Sequence, residues 1–475
     1  MLSRFKTSLL LSAVGLLTAC ARVDSVYTPT FGPLTDEIIP KIKTSNPIIV
    51  VPGIGGTQLV DAESGKTAWG SYGFNTYWPS TEKDNQLLSL PLEPENTSSA
   101  QEFNKAIPKS VLETWRLSFF PFSSIEFAVY ATIKKSMIAA GYISEKEVLS
   151  RVGYTKNEGT PLFEFAYDWR KSNAENAVIL DKFVREKSEN PMIKKHFGDN
   201  QKFDLICHSM GCLVSRYYLR YGNQGLGTSD NPPELDWRGS DKIENIIMVA
   251  PPNKGSVEAL SDLTNGFYLH QIKLLKYPPA VLGTWPSMYE LLPRQDISQA
   301  TNHEGKEVDL LDPQLWQDMS WGLLDPNQEK VLTQISSKGA ERPSSKYLQA
   351  KRLQAKLLGN ARLFHSRLDK KVESPKGLYF WLFAGVGKPT ESKVTVNTEN
   401  KTWSAKREKA GDGAVLRASA YTLENTKKRD IDSPYNNSII PWYDAIFFFT
   451  DHMGLVQNND FFLNLYDIII WRSNF

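Results

Sequence analysis

Residues 203–214 read Phe203-Asp204-Leu205-Ile206-Cys207-His208-Ser209-Met210-Gly211-Cys212-Leu213-Val214. An apolar run leads straight into a sharp turn, and the pattern Leu213, Val214, Tyr217 that follows has helical spacing. A serine between a strand and a helix sits on a nucleophile elbow, where its hydroxyl projects above the sheet and the helix N-terminus faces any developing oxyanion. Small residues around the serine let strand and helix approach closely. Gly211 is one of them, but Cys207 stands where a second glycine is usual, so the strict G-x-S-x-G pattern is not met. Cys207 and Cys212, five residues apart, fall on either side of this turn, and no disulfide is expected between them.

A serine hydroxyl near neutral pH needs a general base, most often a histidine held by a carboxylate. The six histidines are His196, His208, His270, His303, His365 and His452. In the order serine, acid, histidine that α/β hydrolases follow, His196 comes too early. His208 adjoins the serine and cannot turn back to it. His270, His303 and His365 fall in a long insertion, which leaves His452, just past an apolar run, as the base. The acid should lie between Ser209 and His452. Asp412 in Gly411-Asp412-Gly413 is favoured, because flanking glycines permit a turn that presents the carboxylate. A plain Asp-Gly β-turn is the bland alternative, and Asp430, Asp432, Asp444 and Asp451 compete. Oxyanion donors are expected from the backbone N–H of Met210 and, in the loop Pro52-Gly53-Ile54-Gly55-Gly56-Thr57, from that of Ile54. This glycine loop carries neither G-x-G-x-x-G nor a Walker lysine, which argues against a phosphate cradle.

Around these residues the chain alternates short apolar runs with helical patterns. Runs at 47–51, Leu162–Tyr167, Phe203–Cys207, Ile246–Ala250, Leu378–Ala384 and Ala445–Thr450 read as buried strands of a mainly parallel sheet. Ser123 with Glu126, and Ser172 with Glu175, suggest capping boxes opening helices, the first carrying Val129, Ile133 and Met137. The fold class expected is α/β, an α/β-hydrolase fold with a helical cap or lid insertion. The core is assigned to 47–252 and 376–475, with an insertion at 60–122, and the cap to 253–375, because a structureless stretch of that length is implausible.

The chain has 475 residues, 41% hydrophobic and 23% charged, with 55 basic against 53 acidic side chains. That balance excludes the basic excess of a nucleic-acid binder, and the composition excludes disorder and coiled coil. Three cysteines cannot make a disulfide scaffold. At the N-terminus, Arg4 and Lys6 precede an apolar stretch from Leu9 to Leu17, too short for a hydrocarbon core of ~30 Å. Small residues then lead to Cys20, the form of a bacterial lipoprotein signal: residues 1–19 as signal peptide, lipidation at Cys20, and 20–46 as tether. A cell-envelope location, lipid-anchored on the periplasmic or surface face, follows from that reading. An ordinary cleaved signal is the alternative.

The ordered set 47–53, Tyr167-Asp168-Trp169-Arg170, His208-Ser209-Met210-Gly211-Cys212, Ala250-Pro251-Pro252-Asn253-Lys254-Gly255-Ser256, Gly385-Val386-Gly387, Gly411-Asp412-Gly413 and His452 resembles the lecithin:cholesterol acyltransferase family. The resemblance implies a capped α/β hydrolase with a Ser209–Asp412–His452 triad and an oxyanion loop at Ile54, acting on acyl esters of lipids at a membrane surface. No cofactor or metal is implied, and the oligomeric state is left open. Asp168 and Arg170 are read as braces for loops. The chain lacks the cysteine pair that pins the membrane-binding subdomain of animal members, so Trp69, Tyr77, Trp78 and the aromatic run 115–122 suit either a membrane interface or simple packing on the core. Gly283, Pro286, Met288 and Tyr289 are read as a mobile region over the pocket. A second function hypothesis is a catalytically inactive envelope lipoprotein serving as a binding or assembly module; a third is an esterase for small soluble esters.

Overall fold

The computed structural model describes residues 45–471 except 74–75, 94–104, 120–122, 151–153, 156–157, 270–274, 337–342 and 424–437. The signal segment, Cys20, nearly all of the tether, His270, Asp430, Asp432 and part of the aromatic run 115–122 lie outside the described residues. The centre is a seven-stranded, wholly parallel sheet. Its strands are β1 (Ile48–Val51), β2 (Tyr142–Ser144), β3 (Thr160–Glu164), β4 (Phe203–His208), β5 (Ile243–Val249), β6 (Tyr379–Gly385) and β7 (Trp442–Phe448). They lie in the order β7-β6-β5-β4-β1-β3-β2. All six expected strands are present with ends displaced by up to three residues, and β2 is an additional short edge strand. β1 and β4 are buried at every position, as befits strands covered on both faces.

β1 and β4 run side by side in the register Val50↔Ile206 and Val51↔Cys207, so the loops leaving their carboxyl ends emerge together. This is where chain order reverses across the sheet, the usual position for a ligand crevice in an open parallel sheet. Among the helices are α1 (Ala131–Ala139), α2 (Asn173–Glu189), α3 (Gly211–Tyr221), α4 (Val257–Asn265) and α5 (Pro343–Asp369). Helix α3 is buried along its whole length. Its Arg216 and Arg220 both donate to the Leu368 carbonyl at 3.0 Å, placing two cations on the C-terminal end of α5. The mostly helical segment between β5 and β6 is thereby tied to the helix that carries the elbow.

Two local expectations fail. Ser123–Ala128 is not a helix start but a strand, paired antiparallel with Thr114–Phe119. The cross-strand partner outweighs the local capping signal, and α1 begins at Ala131 with no side-chain cap. Ser172, by contrast, does cap α2 by accepting from Ala174 N–H, while its hydroxyl donates to Glu290 at 2.6 Å. The second failure is the disulfide: Cys207 and Cys212 are bonded, with Cα atoms 4.9 Å apart. The elbow reverses the chain so tightly that the end of β4 and the first turn of α3 lie within bridging distance, rather than on opposite sides.

That tightness depends on Gly211. A Cβ there would fall 2.5 Å from the Val51 carbonyl oxygen and against that of Pro52, both backbone atoms that cannot give way. Gly211→Ala is therefore expected to lower stability by about 1–3 kcal/mol in urea unfolding. An unchanged midpoint would mean that α3 and β1 do not approach as closely as described.

Candidate active site

Ser209 follows the last residue of β4 and takes a left-handed conformation, φ 52°, uncommon for a residue other than glycine. The Ser209 N–H donates to the Val249 carbonyl at 2.8 Å, which fixes the turn against β5. Strain held by a hydrogen bond of this kind lifts the side chain out of the sheet plane. At the far edge, β7 leads into the loop bearing His452, and β6 leads through the hairpin Lys388–Asn397/Thr402–Gly411 to Asp412. The three side chains come from loops at the same carboxyl rim.

They meet there. His452 Nε2 lies 2.9 Å from Ser209 Oγ, and His452 Nδ1 lies 2.8 Å from Asp412 Oδ2. The other Asp412 oxygen accepts from the N–H groups of Ala414 at 3.0 Å and Val415 at 2.7 Å. The His452 N–H donates to the Asp412 carbonyl at 3.0 Å, so backbone and side chain are aligned together. Gly385 makes room: a Cβ on it would come within 2.6 Å of Asp412 Cβ and 2.7 Å of the Thr450 carbonyl. Of the rivals, Asp451 turns away to accept from Gly454 N–H at 2.7 Å, and Asp444 accepts from Ala445 N–H. His365 binds the Glu290 carbonyl, His196 packs against Tyr154, and His303 is exposed.

The loop at residues 52–57 is held by four aromatic side chains. Tyr167 donates to the Pro52 carbonyl at 2.7 Å, Gly53 N–H donates to the Tyr130 hydroxyl at 2.7 Å, and Trp69 and Trp169 donate to the carbonyls of Gly55 and Thr57 at 2.7 and 3.0 Å. Gly53 is packed so closely that a Cβ would lie 2.9 Å from Ser209 Cβ. The N–H groups of Ile54 and Met210 donate to no protein acceptor among the described residues. Arg170, fully buried, pairs with Asp168 at 2.8 Å and donates to the carbonyls of Leu87 and Ala106, so it braces the end of the helix Glu82–Leu88 and the start of the strand Ala106–Val111 rather than loops.

Beside Ser209 lies a cavity of about 160 Å³ walled by Ile54, Trp69, Trp169, Phe267, Leu282, Trp285, Met288, Leu291 and Val415. Trp69 and Trp115 are buried and pack on one another, with Trp69 also against Trp169, so these rings of the insertion face the protein and not solvent. Met288 and Tyr289 are buried too. Two carboxylates of α4, Glu258 and Asp262, break the apolar lining. Glu258 is open to solvent through the cavity yet surrounded by protein on most sides, and this enclosure pushes its carboxyl up. Tyr130, Glu258 and Asp262 do not stand out in sequence, and Trp69 does so only as an aromatic of the insertion, because an aromatic ring or helix-face acid has no local signature of facing a cavity.

Burial alone would push the His452 imidazole toward its neutral form. The Asp412 carboxylate, through charge and hydrogen bond, with smaller help from Glu258 and Asp451, outweighs this and raises its pKa above the ordinary 6.5. An imidazole so placed can take a proton from the serine hydroxyl and hold it against a carboxylate.

A wholly parallel sheet with its functional side chains at the carboxyl rim, a strained strand-to-helix serine and a helical insertion over the crevice defines the α/β-hydrolase fold. The chain belongs to the lecithin:cholesterol acyltransferase family, whose model matches residues 118–401. Membership sets it among enzymes that hydrolyse or transfer the acyl groups of lipid esters. Among solved structures, Tle4 in the Tle4–Tli4 complex is similar at 13% identity and TM-score 0.49, over 89% of this chain and 98% of that one. EstA from Clostridium botulinum is similar at 14% identity and TM-score 0.32, over 94% and 96% of the two chains. Lipase 1 from Pelosinus fermentans is similar at 12% identity and TM-score 0.25, over 57% and 72%. No curated protein matches the chain.

A base must be neutral to accept the serine proton, so ester turnover should fall as pH drops through the raised His452 value. Glu258→Gln removes a negative charge that favours the imidazolium. It should move the acid midpoint of the kcat/KM–pH profile to lower pH, and an unmoved midpoint would show that the α4 carboxylate does not reach His452 electrostatically.

Proposed function

We propose that the protein is a serine-dependent hydrolase or O-acyltransferase of lipid esters that works through an acyl-enzyme. The observation that carries the reading is the continuous chain from Ser209 Oγ to His452 to Asp412, with contacts of 2.9 and 2.8 Å. Ser209 Oγ attacks the ester carbonyl carbon while His452 Nε2 takes its proton. Asp412 holds the imidazole by Nδ1 and stabilises its charged form. The N–H groups of Ile54 and Met210 receive the oxyanion, each donor worth roughly 3–4 kcal/mol. Collapse of the tetrahedral intermediate expels the alcohol, which leaves with the proton from His452. Water or a second alcohol then attacks the acyl-enzyme by the same route in reverse, giving hydrolysis or acyl transfer.

The apolar cavity beside Ser209 supports an acyl chain as the group that is bound, since its wall of tryptophan, phenylalanine, methionine and leucine side chains offers little to a polar substrate. Nothing in this chemistry calls for a metal or cofactor. The inactive-lipoprotein alternative loses its motive while all three side chains stand in hydrogen-bonding order.

A fluorophosphonate probe should label the wild type and not Ser209→Ala. Turnover of a p-nitrophenyl ester should fall by about 10³-fold or more in Ser209→Ala and by roughly 10⁴-fold in Asp412→Asn. Equal labelling of Ser209→Ala would remove the nucleophile assignment. We also infer attachment to a bacterial envelope membrane through acyl chains on Cys20, motivated by the small residues before that cysteine. Cys20→Ser should shift the protein from the membrane fraction to the soluble fraction on cell lysis, and retention of the variant in the membrane would sink that part.

A further inference from the structure

We propose that His208 and Tyr130 form a positioning pair that locks the oxyanion loop and the loop of the catalytic histidine to each other. This rests on the reading of Ser209, His452 and the loop at Ile54 as the reacting machinery. His208 adjoins the nucleophile in sequence, but its ring points away from the serine and lies 3% exposed between the two loops. Gly53 N–H donates to the Tyr130 hydroxyl at 2.7 Å. That hydroxyl lies 2.9 Å from His208 Nδ1, and His208 Nε2 lies 3.3 Å from the carbonyl oxygen of His452.

The two ends of this series fix every proton within it. An amide N–H can only donate, so the Tyr130 oxygen accepts from Gly53 and its own proton is available to His208. A carbonyl can only accept, so His208 must present a proton from Nε2 to His452. Among the described residues the Tyr130 hydroxyl has no hydrogen-bond partner besides Gly53 N–H and His208 Nδ1. The neutral imidazole with its proton on Nε2 and its lone pair on Nδ1 therefore gives every proton an acceptor, whereas a ring protonated at both nitrogens leaves the Tyr130 proton without one. Burial, together with positive charge on the neighbouring His452 ring whenever that ring is protonated, favours the same uncharged form, pushing the His208 pKa down to about 3.

The consequence concerns geometry at the reacting atoms. Gly53 immediately precedes Ile54, whose N–H is the loop's oxyanion donor, and the carbonyl that His208 grips belongs to the residue acting as base. A single buried strut therefore spans from the oxyanion loop to the base. It runs beside Ser209, whose Cβ would lie 2.9 Å from a Cβ placed on Gly53. Without the Tyr130 hydroxyl, Nδ1 has no donor, and the ring is free to carry its proton on the wrong nitrogen. Nε2 would then turn a lone pair toward the His452 carbonyl and push that loop outward.

The pair touches no substrate, so the variant to make is Tyr130→Phe, which removes one hydroxyl and little volume. Expected are a kcat on p-nitrophenyl butyrate at least tenfold lower, a KM within about twofold of wild type, and fluorophosphonate labelling slowed in proportion. In ¹⁵N-histidine NMR, wild-type His208 should be neutral and protonated at Nε2 from pH 5 to 8, with a mixture of tautomers in Tyr130→Phe. Wild-type His208 found charged or protonated at Nδ1 overturns the proposal whatever the variant does. So does a Tyr130→Phe enzyme with unchanged kcat, or one that loses kcat and thermal stability together while the tautomer stays as in wild type. Activity surviving in Ser209→Ala would instead overturn the catalytic reading beneath it, so the two failures are separable.

Discussion

The close approach of two loops at the centre of the sheet governs the rest of the site. The chain leaving β1 and the elbow leaving β4 touch backbone to backbone, and only because Gly53 and Gly211 have no side chains there. With any Cβ at Gly211, helix α3 would have to move off β1, and the N–H of Met210 would move with it. The N–H groups of Ile54 and Met210 and the Ser209 side chain are thus set by a packing distance before any hydrogen bond is considered. The Cys207–Cys212 bond across the same turn adds a covalent tie to that arrangement.

Two imidazoles stand next to each other, ring centres 5.0 Å apart, in opposite electrostatic circumstances. His452 faces a carboxylate and is held ready for a proton, whereas His208 faces a hydroxyl and a carbonyl and is held neutral. A positive His452 further disfavours charge on His208, so the two rings do not carry charge together. Burial would drive both rings toward neutrality. What separates them is that Asp412 reaches only one of them directly.

Much of this was legible in the chain. β1 and β4 read as continuous apolar runs because both faces of a parallel sheet are covered, and Ile48–Val51 and Phe203–His208 are buried at every position. The elbow announced itself through the change from strand to helical spacing around Ser209. His452 follows from the order serine, acid, histidine by elimination, and Asp412 from that order together with its flanking glycines. The errors came where a local signal competed with a distant partner. Ser123 and Glu126 carry a capping pattern, yet the strand at Thr114–Phe119 claims them. Cys207 and Cys212 flank the turn, which suggests opposite sides, whereas the sharpness of the elbow brings them together.

The amino-acid sequence alone determined the fold class and pointed to the three candidate catalytic side chains and the two candidate backbone donors, because strand periodicity, turn residues and motif order are local or sequential properties. Only the tertiary structure decided that Tyr130 and His208 join the oxyanion loop to the histidine loop, that Trp69 and Trp169 pin that loop and wall the cavity, and that Glu258 bears on His452. Apart from Trp69 on Gly55, 14 positions away, those facts turn on contacts between residues 77 to 244 positions apart in the chain. Such contacts leave no periodicity to read, and they arise from which faces the packed layers happen to bring within a few ångströms of one another.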